Sequence, residues 1–171
     1  METLLCSGGV LSVPADGRTF PMNRIYGKGS HMAINGVIWL TAQDYNRLKA
    51  LVHDLAAQSR RIDAGVDTLE EILDLARVVK SETVPGNVVT MNSRVLYEDL
   101  ATHEQGMATI VYPADADPPR GRISVLSPVG AALLGEAEGH EVELPLPHGQ
   151  TRRIRIRSVL YQPEAEGNFA L

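Results

Sequence analysis

Three carboxylates, Asp63, Asp67 and Glu70, lie close together between two segments of helical periodicity. Proteins hold Mg²⁺ with one or two carboxylates plus donors from a second body, so this trio is a candidate metal-binding tip. Helix capping is the competing hypothesis, because Asp67 followed by Glu70 three residues later matches a capping box. Arg60 and Arg61 precede Asp63 and weaken the local attraction for a cation. We therefore favour capping and expect no resident metal and no catalytic residue here.

The densest basic run of the chain ends in Arg153, Arg155 and Arg157, which alternate with two isoleucines. Residues two apart on a strand share one face, so these three arginines are predicted to form a basic contact stripe. Guanidinium groups suit phosphate or an acidic protein surface. The solvated face of a sheet has the same pattern, so both interpretations stay open. With 16 Lys and Arg against 21 Asp and Glu, the formal charge of -5 argues against nucleic-acid binding by the overall field.

The remaining residue patterns exclude several classes of protein. Cys6 is the one cysteine, so no internal disulfide can form. The five histidines are scattered at His31, His53, His103, His140 and His148. No zinc-ligand spacing, Gly-rich phosphate loop or Ser/His/Asp order stands out, and no cofactor is expected. No apolar stretch approaches the roughly 18 residues of a membrane span, so a cytoplasmic, membrane-free protein is expected.

The first predicted helix begins at a capping box in which Thr41 is the N-cap and Asp44 follows three residues later, and it runs from about Ala42 to Gln58. Its apolar stripe falls at Tyr45, Leu48, Val52 and Leu55. A second stripe follows a polar break, at Leu69, Ile72, Leu73, Ala76 and Val79. A short antiparallel helical hairpin, or coiled-coil finger, is therefore expected over residues 37–83. Residues 1–36 show no periodicity and are expected to be a disordered leader, either vector-derived or an upstream extension.

Pro85 and Gly86 mark a boundary after which β-branched residues and alternating patterns take over. The pattern predicts strands over 88–91, 94–97, 107–112, 123–126, 141–144 and 153–157, and a loop over 115–120. Ser127 and Pro128 supply a cap and a first helical position for a helix that Gly135 ends. The expected fold class is α+β, in which residues 84–171 form a small antiparallel sheet with one helix across it.

Four separated runs carry a resemblance to a known family. They are Val88-Val89-Thr90-Met91-Asn92-Ser93-Arg94-Val95, Val111-Tyr112-Pro113-Ala114-Asp115-Ala116, Ile123-Ser124-Val125-Leu126-Ser127-Pro128-Val129-Gly130-Ala131-Ala132-Leu133-Leu134-Gly135, and Tyr161-Gln162-Pro163-Glu164-Ala165. In this order they closely resemble the Rnk family, the regulators of nucleoside diphosphate kinase, which is similar to the Gre superfamily of transcription elongation factors. The match covers about residues 84–171, and over residues 37–80 it is architectural only.

The resemblance implies a regulator that is not an enzyme. It also implies that an FKBP-like C-terminal domain docks on RNA polymerase at the rim of the secondary channel. Docking is expected at the run Ser127, Pro128, Val129 and Gly130, and any DNA contact would be weak and confined to the polymerase complex. Gre factors carry acidic residues to the polymerase active site on a long finger. Rnk proteins have a shorter finger and are expected to compete for the channel without driving cleavage. A monomer is expected.

Three alternatives remain open from the sequence. An acidic tip would make the chain a factor that stimulates transcript cleavage. An FKBP-like domain with an aromatic proline pocket would be a prolyl isomerase, although aromatics make up only 5% of the chain. The family name also leaves room for direct binding to nucleoside diphosphate kinase instead of an indirect effect on its level through transcription.

Overall fold

The computed structural model describes residues 37–58, 64–145 and 151–169, and two helices lie in the N-terminal part of these residues. Helix α1 spans Ala42–Gln58 and helix α2 spans Ala64–Leu75, and the two pack against each other. The N–H of Asp44 donates to Oγ1 of Thr41 over 3.0 Å, so the predicted start of α1 is confirmed. The predicted leader 1–36 and the reversal at residues 59–63 lie outside the described residues.

The end of the second helix differs from the prediction. The apolar stripe predicts helix as far as Val79, but Arg77–Val79 forms a strand, β2, that pairs in parallel with β1, Trp39–Thr41. The valines at the end of the stripe are β-branched and favour extended backbone. In addition, the guanidinium of Arg77 lies 4.8 Å from the centre of the Trp39 ring. The pairing of β1 with β2 therefore joins the start of α1 to the end of α2.

Five strands form the main sheet, in the spatial order β5, β4, β3, β7, β6. They are β3 Arg94–Asp99, β4 Gln105–Val111, β5 Arg122–Ser124, β6 Glu141–Pro145 and β7 Thr151–Tyr161. The prediction of an antiparallel sheet is wrong at one edge, because β5 pairs in parallel with β4. The segment between them includes the predicted loop 115–120 and contains two 3₁₀ turns, Pro113–Asp115 and Pro118–Arg120, that return the chain to the same end of the sheet.

The segment before β3 was predicted as a strand, and this prediction is also wrong. Val88 makes only an isolated bridge to Ala137. The N–H of Val89 donates to the carbonyl of Glu136 and its carbonyl accepts from the N–H of Gly135, both over 2.8 Å. Asn92 then adopts a left-handed φ of 61° and turns the chain into β3. The segment is therefore bound to the end of the third helix and not to the sheet.

That third helix, α3, spans Pro128–Leu133 and is mostly buried. One continuous hydrophobic core joins it to the sheet and to the helical pair, and this core includes Leu48 and Leu69 from the pair as well as Leu133 and Ile156. The backbone also connects the two parts, because the N–H of Trp39 donates to the carbonyl of Gly135 over 2.9 Å. The domain boundary near residue 84 stays a prediction, and the hydrophobic core includes residues from both sides of it.

Gly65 at the start of α2 offers a direct test of this packing. A Cβ at Gly65 would lie 2.2 Å from the carbonyl oxygen of Leu126, inside any allowed contact. Although alanine favours a helix over glycine by up to about 1 kcal/mol, we expect Gly65→Ala to lower the free energy of unfolding by about 1–3 kcal/mol through overpacking. Urea unfolding followed by circular dichroism measures the change.

Gly86→Ala is the matched control, because a Cβ there meets nothing closer than 3.7 Å. This variant should unfold at the wild-type urea concentration or slightly above it. Equal or greater stability of Gly65→Ala relative to Gly86→Ala would contradict the close approach of α2 to the chain before α3.

Candidate functional site

The run expected to dock on a partner forms the start of α3. Oγ of Ser127 accepts from the N–H of Gly130 over 3.0 Å, and the same hydroxyl donates to the carbonyl of Ser124 over 2.7 Å. Gly130 is buried, and a Cβ there would lie 2.1 Å from that carbonyl oxygen. Pro128 is exposed and Val129 is half-buried. Ser127 and Gly130 therefore shape the turn, and Pro128 is the member that another molecule can reach.

The predicted basic stripe is present on β7, but its charges are already paired. Arg155 forms an ion pair with Glu141 of β6. Arg157 forms one with Glu98 of β3. Arg153 lies 3.7 Å from Glu141 and 3.6 Å from a second carboxylate on β6. A ligand that uses this stripe must displace carboxylates, which reduces the gain from each contact.

The pairing has an electrostatic signature on the carboxylate side. The pKa of Glu98 is lowered, first by its hydrogen bond with His103 and then by the one from Arg157. The pKa of Glu141 is lowered by its hydrogen bond from Arg155. The two carboxylates are thus held ionised by the surrounding donors. The sheet surface around the stripe is a network of matched charges and not a free cationic patch.

The tip residues that the structure describes are Asp67 and Glu70, and both are exposed on α2. The expectation that Asp67 caps the helix is wrong, because α2 begins at Ala64 and Asp67 lies within its first turn. A carboxylate in that position is still favoured by the helix dipole. Arg60, Arg61 and Asp63 lie outside the described residues. Elsewhere in residues 37–58, 64–145 and 151–169, no group of three His, Cys, Asp or Glu side chains could hold a metal ion.

A buried carboxylate joins the helical pair to the sheet, whereas its spacing from Thr41 predicts only a role in helix capping. Asp44 is 2% exposed, and its Oδ2 accepts from the N–H of Met91 over 3.3 Å. The hydroxyl of Tyr112 approaches its Oδ1 at 3.5 Å. Burial raises the pKa of Asp44 to about 6 and that of Tyr112 to about 12. The sequence contains one sign of this burial: Asp44 lies four residues before the core residue Leu48, and residues four apart share one face of a helix.

Two of the sequence runs that define the family resemblance meet beside this carboxylate. The hydroxyl of Thr90 donates to Oε2 of Glu164 over 2.6 Å and contacts the hydroxyl of Ser93 at 2.9 Å. Nε2 of Gln162 donates to the carbonyls of Pro85 and Val88, each over 2.9 Å. These side chains fasten the C-terminal end of the chain to the segment that enters β3. Their roles are structural.

A second buried carboxylate lies in the turn after α3. Glu136 is 3% exposed, and its Oε2 lies 2.8 Å from Nδ1 of His140. Burial raises the pKa of Glu136, while the bond to His140 acts in the opposite direction. The pair closes a turn that also bonds to β7, since the N–H of Gly139 donates to the carbonyl of Ile156 over 2.8 Å. Of the described helices, none is long and apolar enough to cross a membrane.

Comparison with known proteins gives a consistent set of relatives. The family model described as "Transcription elongation factor, GreA/GreB, C-term" matches residues 84–161. The "Regulator of nucleoside diphosphate kinase" of Escherichia coli strain K12 is 38% identical over 137 residues, which cover 74% of this chain and 99% of that protein. The "Transcription elongation factor GreA" of Helicobacter hepaticus is 32% identical over 123 residues, covering 71% of this chain and 75% of that one.

A solved structure is similar over the same region. It is the "Prokaryotic transcription elongation factor GreA/GreB from Nitrosomonas europaea", with 40% sequence identity and a TM-score of 0.59. The match covers 74% of this chain and 100% of that one.

The buried Asp44 predicts a specific pH dependence of stability. Its pKa is raised from 3.8 to about 6, so the group favours the folded state fully below about pH 4, and this contribution is lost as the pH rises through about 6. Asparagine keeps an acceptor for the N–H of Met91 without the buried charge. We expect Asp44→Asn to gain up to about 3 kcal/mol over the wild type between pH 4 and pH 7. Urea unfolding at several pH values measures this difference.

Asp54→Asn is the control, because Asp54 is an exposed carboxylate of the same helix. Its stability curve should run parallel to that of the wild type. If the Asp44→Asn curve also ran parallel to the wild-type curve from pH 4 to pH 7, the proposed effect of the buried charge would be wrong.

Proposed function

Because this chain belongs to the GreA/GreB family of transcription elongation factors, among relatives that include regulators of nucleoside diphosphate kinase, we propose that it binds RNA polymerase and competes with Gre factors. The proposed place of binding is the rim of the secondary channel. The protein acts there as a monomer in the cytoplasm, without enzymatic activity of its own. Changes in transcription elongation then alter the level of nucleoside diphosphate kinase.

The observation that carries this proposal is the length of the two helices. Helix α1 has 17 residues and α2 has 12. At 1.5 Å per residue these helices extend about 25 Å and about 18 Å. A factor that only occupies the channel needs its docking surface, whereas a factor that drives cleavage needs a finger long enough to reach the catalytic metal. The short helices favour occupation over cleavage.

The chemistry of the finger supports the same conclusion. A carboxylate assists a Mg²⁺ ion only at a coordination distance of about 2.1 Å. One missing helical turn already displaces it by about 5.4 Å. The described acidic residues, Asp67 and Glu70, lie on the first and second turns of α2, where the helix dipole accounts for the first of them. Transcript cleavage therefore remains the second candidate function, and it requires a longer finger than these two helices form.

Two further alternatives, a prolyl isomerase and a direct binder of nucleoside diphosphate kinase, have less support. A prolyl isomerase needs a pocket lined with aromatics, but Tyr112 lies against the buried Asp44 and Tyr97 packs on the core. The relative named as a regulator of nucleoside diphosphate kinase leaves direct binding to the kinase as another route. A pull-down from a bacterial lysate separates these routes, because polymerase subunits support the proposal and the kinase alone would contradict it.

The proposal predicts competition in a cleavage assay. Addition of this protein to a backtracked elongation complex with a fixed amount of Gre factor should reduce cleavage of the transcript in a dose-dependent way. The protein alone should stimulate little or no cleavage, because its helices are short. Gel analysis of the labelled transcript measures both. Robust cleavage by this protein alone, abolished in Asp63→Ala or Asp67→Ala, would identify a cleavage factor instead.

The docking role of the α3 start predicts the effect of one substitution. Pro128→Asp places a charge at the exposed position, and an acidic residue at a helix start preserves the fold. We expect it to weaken binding to core RNA polymerase by about tenfold, the effect of one central interface residue. Pro119→Asp changes an exposed proline of a neighbouring turn and should bind as the wild type does. Equal affinities of the two variants, measured by biolayer interferometry, would remove Pro128 from the docking surface.

A further inference from the structure

An open groove on the outer face of the main sheet contains an arginine that has no carboxylate partner among the residues that the structure describes. The groove has a volume of about 320 Å³ and is lined by Asn92, Arg94, Thr109 and Tyr161. Arg94 is exposed, and no carboxylate of the described residues lies within ion-pair distance of it, unlike the arginines of β7. This guanidinium is therefore available to a ligand without breaking an existing pair.

The strand register places a second arginine in the same row. Tyr161 of β7 pairs with Arg94 of β3, Arg94 pairs with Thr109 of β4, and Thr109 pairs with Arg122 of β5. We name these four residues the arginine row. Neighbouring strands lie about 4.8 Å apart, so the two arginines start about 10 Å apart and their long side chains can converge above Thr109.

The competing contact of the second arginine is weak. Arg122 lies 3.7 Å from Asp115, with 45% and 59% of the two side chains exposed. An exposed pair at this distance contributes little, so an incoming carboxylate can replace Asp115 at small cost. The Tyr161 hydroxyl accepts from Nδ2 of Asn168 over 3.3 Å and keeps its own proton to donate.

An apolar strip lies beside the arginine row on the same face. Met107 is two residues from Thr109 on β4, and its side chain is 55% exposed. Its cross-strand partner is Leu96 of β3, which is half-buried. Tyrosine, arginine and methionine are the residues enriched in protein interfaces, whereas aspartate, glutamate and lysine are depleted there. The composition of this patch, from the arginine row to Met107, is that of a protein-binding surface.

We infer that the arginine row and Met107 bind an acidic segment of RNA polymerase, in which a carboxylate lies between Arg94 and Arg122 and an apolar side chain covers Met107. The inference rests on the proposed function and names a second contact surface for it, separate from the start of α3. The groove is open, whereas small-molecule sites enclose most of their ligand. The net charge of -5 also opposes an extended nucleic-acid backbone.

The test compares two arginines of the same sheet. Arg94→Gln removes a guanidinium that no described carboxylate pairs with, and Arg153→Gln removes one that faces Glu141 and Glu143. Biolayer interferometry with immobilised core RNA polymerase gives the affinity of the full chain and of each variant. We expect Arg94→Gln to weaken binding about tenfold at 50 mM salt and much less at 500 mM, because the attraction is screened. Arg153→Gln should stay within twofold of the wild type.

Met107→Ser provides an independent measurement, because it removes the apolar contact without a change of charge. It should weaken binding several-fold at both salt concentrations. Circular dichroism melting shows whether each variant is folded, and both positions are exposed enough that the fold should be unaffected.

The possible outcomes distinguish failure of the inferred contact surface from failure of the proposed function. If the wild type binds polymerase and Arg94→Gln binds within twofold of it, the inference is wrong and the proposed function stands. If the folded wild type does not bind polymerase at micromolar concentration, the proposed function fails and the inference fails with it. Pyrophosphate and a single-stranded RNA are tested as competitors. If either binds the wild type in an Arg94-dependent way while Arg94→Gln retains full polymerase affinity, the groove is an anion site of another kind and the inference is overturned.

Discussion

The attachment of the helical pair to the sheet is the constraint on which the rest of the molecule depends. It uses close packing of Gly65 against the carbonyl of Leu126, the bond from Trp39 to Gly135, and the buried carboxylate of Asp44 on the N–H of Met91. Burial of the ionised Asp44 side chain lowers the free energy of unfolding, so this carboxylate orients the helical pair without adding to the net stability. It sets the direction in which the helical pair leaves the sheet.

The distribution of charge on the sheet separates stability from recognition. On β7 and its neighbours, guanidinium and carboxylate groups face each other in matched pairs, which leaves little net field for a partner. On β3 and β5, Arg94 has no carboxylate partner in the described chain and Arg122 has only the distant Asp115. A partner gains most from charges that it does not have to separate first. The recognition surface is thus expected where the pairing is incomplete, along the row that runs from Tyr161 at the end of β7 through Arg94 to Arg122 on β5.

The residues that carry the family resemblance are largely structural in this chain. Thr90, Ser93, Glu164 and Gln162 bind one another or the backbone around the entry to β3, and Ser127 with Gly130 forms the start of α3. They keep the sheet, α3 and the helical pair in one arrangement. A fold held in this way does not by itself define a function, which depends on the side chains that the fold leaves exposed.

Local patterns in the sequence determined α1 with its Thr41 cap, the Ser127 cap of α3, and the alternation of β4 and β7. Periodicity and capping act over a few residues, so a single sequence contains them. The end of α2, the parallel pairing of β5 and the path of residues 88–91 depended on partners far along the chain. For the same reason, the sequence predicted a basic stripe but not its neutralisation, since Glu98 and Arg157 are 59 residues apart. Only the strand register, which is a tertiary property, placed Arg94 in one row with Tyr161, Thr109 and Arg122.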